Sequence, residues 1–250
     1  MTRPVTLSLL FVAAFAAGLI DALAGGGGMI TIPALLATGM PPQAALATNK
    51  LQASFGSGSA MLHFLRSGTV GLKECRRGII WTFTGAASGV AAVQMLDPAL
   101  LKALIPWLLA AIALYMAASP RFGHEDSTPR LQQTVFYPLF GLVIGFYDGF
   151  LGPGTGSFWA MAFMVFLGYS LLKATAFTKV MNFTSNISAL MIFLAAGQVQ
   201  VPEGLVMGAG QFFGARTGAR LATRRGTVLI RPVFITIAVV ILARMIWQNQ

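Results

Sequence analysis

Along the chain, apolar residues gather into blocks about twenty residues long, separated by short polar or glycine-rich interruptions. Blocks of that length match the ~30 Å hydrocarbon core of a bilayer at ~1.5 Å of helix per residue. They predict membrane-spanning helices over roughly 5–24, 42–65, 76–95, 99–118, 133–150, 170–196, 203–222 and 228–248. Two more apolar pieces, 28–39 and 155–168, are too short for full spans, and each follows a glycine-rich break. The stretch SPRFGHEDSTPR, from Ser119 to Arg130, is the clearly hydrophilic segment and reads as a loop joining two halves.

The pattern repeats. AAGLIDALAGGGGMITIP from Ala16 aligns with VIGFYDGFLGPGTGSFWA from Val143: Gly18, Asp21, Gly25 and Gly27 meet Gly145, Asp148, Gly152 and Gly154 at an offset of 127. Beyond a two-residue gap the offset is 129, where Gly39, Lys50, Gly68, Glu74, Gly85 and Gly89 meet Gly168, Lys179, Gly197, Glu203, Gly214 and Gly218. Self-similarity at a fixed register is the mark of a duplicated unit. Residues 1–118 then form a first transmembrane repeat, 119–132 a polar linker, and 133–250 a second repeat. The N-terminal stretch could pass for a cleavable signal peptide, but its Gly–Asp–Gly pattern recurs in mid-chain, so it belongs to the mature fold.

Loop charges set the relation of the halves. The loop at 66–77 holds Arg66, Lys73, Arg76 and Arg77, whereas its counterpart at 197–203 holds Glu203 and no base. Lys and Arg concentrate on the cytoplasmic side, so corresponding loops are expected on opposite sides, as in inverted repeats. The expected fold is an all-α polytopic membrane protein of two inverted-topology repeats. It has about eight transmembrane helices plus two short glycine-interrupted half or re-entrant helices, with both termini periplasmic and the linker cytoplasmic.

Composition agrees. The 250 residues are 56% hydrophobic and 10% charged, against about 25% charged in soluble domains. The net charge of +10 sits in short loops, which fits the positive-inside rule and gives no ground for a nucleic-acid partner. The lone Cys75 and the distant His63 and His124 suggest no metal site, no cofactor and no nucleophile–base arrangement, so no enzymatic activity is expected.

Charges within a bilayer are functional by default. Lys50 and Lys179 fall at the same depth in corresponding helices. Inverted symmetry would bring their ammonium groups together near the midplane, a repulsive arrangement unless an anion lies between them. Asn49, Ser54, Thr178 and Asn182 supply amide and hydroxyl donors on the same helices. The alternative is that the lysines snorkel or pair with Asp21 and Asp148 as structural ion pairs. Those aspartates are candidate counter-ions, proton acceptors or caps. Glycine-rich breaks are tolerated in lipid only where backbone is buried in protein or lines a cavity. Gly27, Gly28, Gly154 and Thr155 would open half-helices whose N–H groups attract anions. The Gly85–Gly89 and Gly214–Gly218 pairs read as close helix packing.

The segment IDALAGGGGMITIPALLATGMPPQAALATNKLQASFGSGSA, with GFYDGFLGPGTGSFW and KATAFTKVMNFTSNISAL in the second half, resembles the TauE/SafE sulfite exporter family over nearly the whole chain. The resemblance implies a bacterial inner-membrane transporter of sulfite, sulfonates or related anions. It carries Asp21, the glycines, Asn49, Lys50, Asp148, Thr178, Lys179 and Asn182 over as motif residues. Half two departs from half one where Thr178 replaces Asn49 and Pro153 replaces Gly26, so the half-sites are not equivalent. The expected function is secondary transport, in the export direction, of a small anion such as sulfite or an organosulfur compound by alternating access. A proton is the candidate coupling ion; an anion channel or a carrier of non-sulfur organic anions is the alternative.

Overall fold

A computed structural model describes residues 3–118 and 126–225. Among these, nine helices follow in order: α1 (Arg3–Ala24), α2 (Gly28–Ala37), α3 (Pro42–Arg66), α4 (Leu72–Gln94), α5 (Pro98–Ala118), α6 (Gln133–Phe150), α7 (Thr155–Leu167), α8 (Leu171–Ala195) and α9 (Val201–Arg225). The two short pieces of the sequence are the short helices α2 and α7. The span expected over 228–248 lies outside the described residues.

Small residues determine which helices approach closely. Gly210, Gly214 and Gly218 of α9 lie on the backbone of Phe11, Phe15 and Leu19 of α1, so these two helices run parallel. The equivalent pair, again one helix from each half, is α6 on α4: Gly85 lies on Leu142 and Gly89 on Phe146, while Gly145 and Gly149 lie on Thr82 and Ala86. A Cβ at Gly85 would come within 2.6 Å of the Leu142 carbonyl. Glycine permits this backbone-to-backbone approach, the usual basis of helix association in lipid.

The central helices are α3 and α8. Thr48, early in α3, meets Gln200 beyond the end of α8, while Ser57 later in α3 meets Asn186 earlier in α8. These two helices therefore run antiparallel. Helix α9 lies parallel against α3, with Gly204 on Leu51 and Gly208 on Phe55. Helix α4 lies parallel against α8, with Gly78 on Met181 and the Ser188 hydroxyl donating to the Phe83 carbonyl. The directions divide into α1, α3 and α9 one way and α4, α6 and α8 the other.

The surface is apolar. Val12, Ile80, Trp107, Val143, Met191 and Phe213 are exposed on six different helices. An apolar belt on this scale marks a lipid-facing surface rather than scattered exposure. Polar residues of α3 and α8 turn inward instead, with Thr48, Gln52, Thr175 and Ser185 all buried. The consequence is that α1 alone among the described helices has a long run apolar enough to cross a membrane by composition, Pro4–Leu23, with mean hydropathy 2.1. Helices α3 and α8 expose apolar side chains such as Phe55, Leu62, Met191 and Leu194 and bury their hydroxyl and amide residues.

One end of the bundle collects the C-termini of α3 and α9 and the N-termini of α4, α6 and α8. That end carries the exposed Arg66, Lys73, Arg76, Arg77, Arg216, Arg220 and Arg224. The end of the linker docks there too: Asp126 pairs with Lys173 at 2.8 Å, and the Ser127 N–H donates to the Gly168 carbonyl. Hydrogen bonding from Lys173, then from the Ser170 N–H, holds the Asp126 carboxyl below its usual value.

Candidate functional site

Both glycine breaks lie at the middle of the bundle, back to back. A Cβ on Gly25 would strike the backbone of Gly156 and Ser157, and one on Gly28 would lie 3.3 Å from Pro153. The breaks reverse the chain differently. Gly25 and Gly26 take left-handed φ values of 77° and 101°, whereas in half two these fall at Gly152 (95°) and Gly154 (79°). Pro153 occupies the position equivalent to Gly26, and its ring fixes φ near −65°. The left-handed step therefore moves one residue on.

Between the breaks is a small polar cavity of about 30 Å³, lined by Asp21, Gly26, Gly27, Gly28, Asn49, Ala53, Asp148, Gly152, Gly154, Thr155, Gly156, Asn182, Asn186 and Gln211. A volume of this size holds roughly two waters. The cavity brings together eight of the residues expected from sequence: Asp21, Asp148, Asn49, Asn182, Gly27, Gly28, Gly154 and Thr155. It leaves out Lys50, Lys179, Thr178 and Ser54.

The lysines do not meet. Lys50 Nζ lies 2.7 Å from Asp148 Oδ1 and also donates to the Asp148 carbonyl. Lys179 Nζ lies 3.0 Å from Asp21 Oδ2 and donates to the Asp21 carbonyl. Each half thus supplies the counter-ion of the other. The physical reason is desolvation: an ammonium buried to 1% or 0% of its exposed area needs a counter-charge in contact, and the nearest aspartate is closer than any shared gap could be. Lys50 and Lys179 are held as ion pairs around the cavity, in the arrangement set beside the anion reading above. Each also donates to a carbonyl at the end of α6 or α1, where the helix breaks; the Asp21 carbonyl accepts from the Gly25 N–H as well.

The remaining expected residues have distinct surroundings. Ser54 donates back to the Lys50 carbonyl at 2.8 Å. Thr178 is buried with its hydroxyl unpartnered, and its methyl lies 3.7 Å from the Cβ position of Gly156. Asn49 accepts from Thr31 of α2 at 2.6 Å and from Gln52 at 2.7 Å, which ties α2 to α3. Asn182 has a buried side-chain oxygen with no partner.

Sequence reading did not single out Asn186, Gln211 or Thr31. Gln211 of α9 packs against Gly56 of α3 and within 3.3 Å of the Cβ position of Gly27. Ser185 donates to Asp148 Oδ2. The available signal was burial: α3, α8 and α9 carry amides and hydroxyls in apolar surroundings, which are kept only where they have partners.

A family model, Sulfite exporter TauE/SafE, matches residues 10–245. The chain belongs to the TauE/SafE family. This is a family of membrane transporters, and the apolar belt described above places the chain in a bilayer. A Haemophilus influenzae protein called "Probable membrane transporter protein" is 47% identical over 243 residues, covering 97% of this chain and 95% of that one. The Escherichia coli K12 "Probable membrane transporter protein YfcA" is 45% identical over 250 residues, covering 100% and 93%. A Methanocaldococcus jannaschii protein, "Probable membrane transporter protein MJ0441", is 25% identical over 233 residues, covering 86% of each chain. No solved structure matches the chain.

Proposed function

We propose that the chain is a secondary transporter of small monovalent anions, of the hydrogen sulfite or sulfonate type, working by alternating access about the central cavity. The observation that carries this is the chemistry of the cavity wall. Two Lys–Asp pairs leave it formally neutral, while Asn49, Asn182, Asn186, Gln211 and the bare backbone of the glycine breaks converge on it. Amides and backbone N–H groups can solvate one negative charge; a dianion would need an uncompensated base that the cavity does not present. The family's description as a sulfite exporter supports the substrate class, and its members' names support transport rather than chemistry on the substrate.

In this reading the two halves are inverted-topology repeats. Antiparallel α3 and α8 support it, as do the equivalent packing of α1 on α9 and α6 on α4 and the exchanged Lys–Asp pairs. The basic end then faces the cytoplasm of a bacterial inner membrane, with the linker, and the N-terminus is periplasmic.

The test is thermal unfolding of the purified protein with methanesulfonate, hydrogen sulfite, thiosulfate and sulfate, followed by flux in proteoliposomes. A ligand at about 100 times its Kd stabilises by about 2.7 kcal/mol, or about 5–11 °C for a chain of this size. Monoanions are expected to stabilise and to show saturable flux. No shift with any of the four, or flux that rises linearly with concentration, overturns the carrier.

A further inference from the structure

The two ion pairs are equivalent by repeat but not by surroundings. Asp148 has both carboxylate oxygens occupied: Oδ1 by Lys50 and Oδ2 by the Ser185 hydroxyl. Asp21 has Lys179 on Oδ2, but on Oδ1, among the described residues, only the Gly27 N–H at 3.3 Å, longer than an ordinary N–H···O bond. Its side chain keeps 15% of its exposure, against 5% for Asp148. The repeat position matching Ser185 is Gly56, which has no hydroxyl to give; the side chain of Gln211 fills that space. Gln211 Oε1 is buried without a partner. An unpartnered acceptor in the same cavity as a loosely held carboxylate is what an acid O–H requires.

We propose that Asp21, and not Asp148, takes up the proton of the transport cycle, and that proton and anion travel in the same direction. This rests on the transport reading above. A proton on an Asp21 oxygen converts the carboxylate to a neutral acid whose O–H is accepted by Gln211 Oε1 once that amide, whose Nε2 lies toward Gly27 beside Asp21, turns over. Lys179, no longer neutralised, gives the cavity one net positive charge, and the anion binds against it. Loss of the anion returns Lys179 to Asp21 and the proton leaves. The two ligands promote each other's binding, which makes the carrier a symporter and, for a monoanion, electroneutral. Lys179 of α8 is the charged group facing Asp21. On α3, Lys50 is held by Asp148 and His63 lies toward the basic end beside Thr223. On α9, Arg216 and Arg220 are exposed beyond Gln211, and α2 and α7 carry no charged residue.

Two measurements test this. Infrared difference spectra of the purified protein on acidification should show a buried carboxylic acid band. Asp21→Asn should abolish it and Asp148→Asn should leave it; Asp21→Glu, which keeps an acid should the asparagine variant not fold, should move it. A band that persists unmoved in the Asp21 variants, or vanishes only with Asp148→Asn, overturns the assignment whether or not any anion is carried. In proteoliposomes, wild-type accumulation of methanesulfonate should follow the pH difference, about tenfold per unit, and ignore an imposed potential. Asp21→Asn, mimicking the permanently protonated state, should instead follow potential by up to about 50-fold per 100 mV. Wild-type accumulation that tracks potential overturns symport. Absence of wild-type methanesulfonate transport counts against the substrate reading, and the infrared result still decides the proton site.

Discussion

If Lys50 and Asp148 serve chiefly to neutralise each other, removing one must cost more than removing both. At 2.7 Å and an effective dielectric of about 20, two unit charges attract by roughly 6 kcal/mol. Desolvation of two ions buried to within a few per cent offsets most of that. Lys50→Met discards the attraction but leaves the Asp148 carboxylate buried with only the Ser185 hydroxyl. Breaking one side of a buried pair costs about 3–5 kcal/mol. For a chain of this length that lowers the unfolding midpoint by about 6–20 °C. Lys50→Met with Asp148→Asn removes both charges and keeps an amide for Ser185, so most of the loss should return. The assay is thermal unfolding of purified wild type, both single variants and the double, read as a cycle. A double variant no more stable than Lys50→Met would refute the pair as a structural unit and return Lys50 to the role of a free anion-binding charge.

Gly85→Ala should destabilise despite the ~1 kcal/mol that alanine gains over glycine within a helix. Its Cβ would lie 2.6 Å from the Leu142 carbonyl, and overpacking costs typically 1–3 kcal/mol; an unchanged midpoint would show that α4 and α6 can separate freely. Asp126 tethers the linker, and its carboxyl lies below its usual value. That contribution is present at pH above the ordinary carboxylate range and is lost as pH falls through the lowered folded value. Limited proteolysis should find the linker equally resistant at neutral and mildly acidic pH and more easily cut below the ordinary value, while Asp126→Asn should be cut at every pH. Thiol labelling of single cysteines introduced at Ser67 and Asp97, in a Cys75→Ser background, should mark Ser67 from the cytoplasm and Asp97 from the periplasm. The reverse would invert the orientation.

Helix positions were readable because each relied on length and composition alone: the blocks at 42–65, 76–95 and 170–196 became α3, α4 and α8 within a few residues. The glycine breaks were readable too, because a second copy stood 127 residues on. The partners of Lys50 and Lys179 were not. Depth along a helix places a charge at a level but says nothing of which face it takes or what crosses there. Both the anion bridge and the exchanged ion pair satisfy the same one-dimensional pattern, and only the packing of α6 against α4 and of α1 against α9 brings the aspartates into reach. Gln211 escaped for a similar reason. It has no repeat partner of its own type, since the matching position is Thr82, and its significance comes from Gly56 leaving it room.

The exchanged pairs also bear on how the molecule is made. Asp21 is separated from Lys179 by 158 positions and Lys50 from Asp148 by 98. At 5–20 residues per second of synthesis, α1 waits about 8–30 s for its counter-charge. Until α8 emerges, the first helix is an apolar segment holding an unanswered carboxylate, dependent on the insertion machinery or on water to shelter it. The first half therefore cannot reach its final place in the bilayer alone, and a chain truncated before α8 should be a substrate for quality-control proteases rather than a stable half-protein.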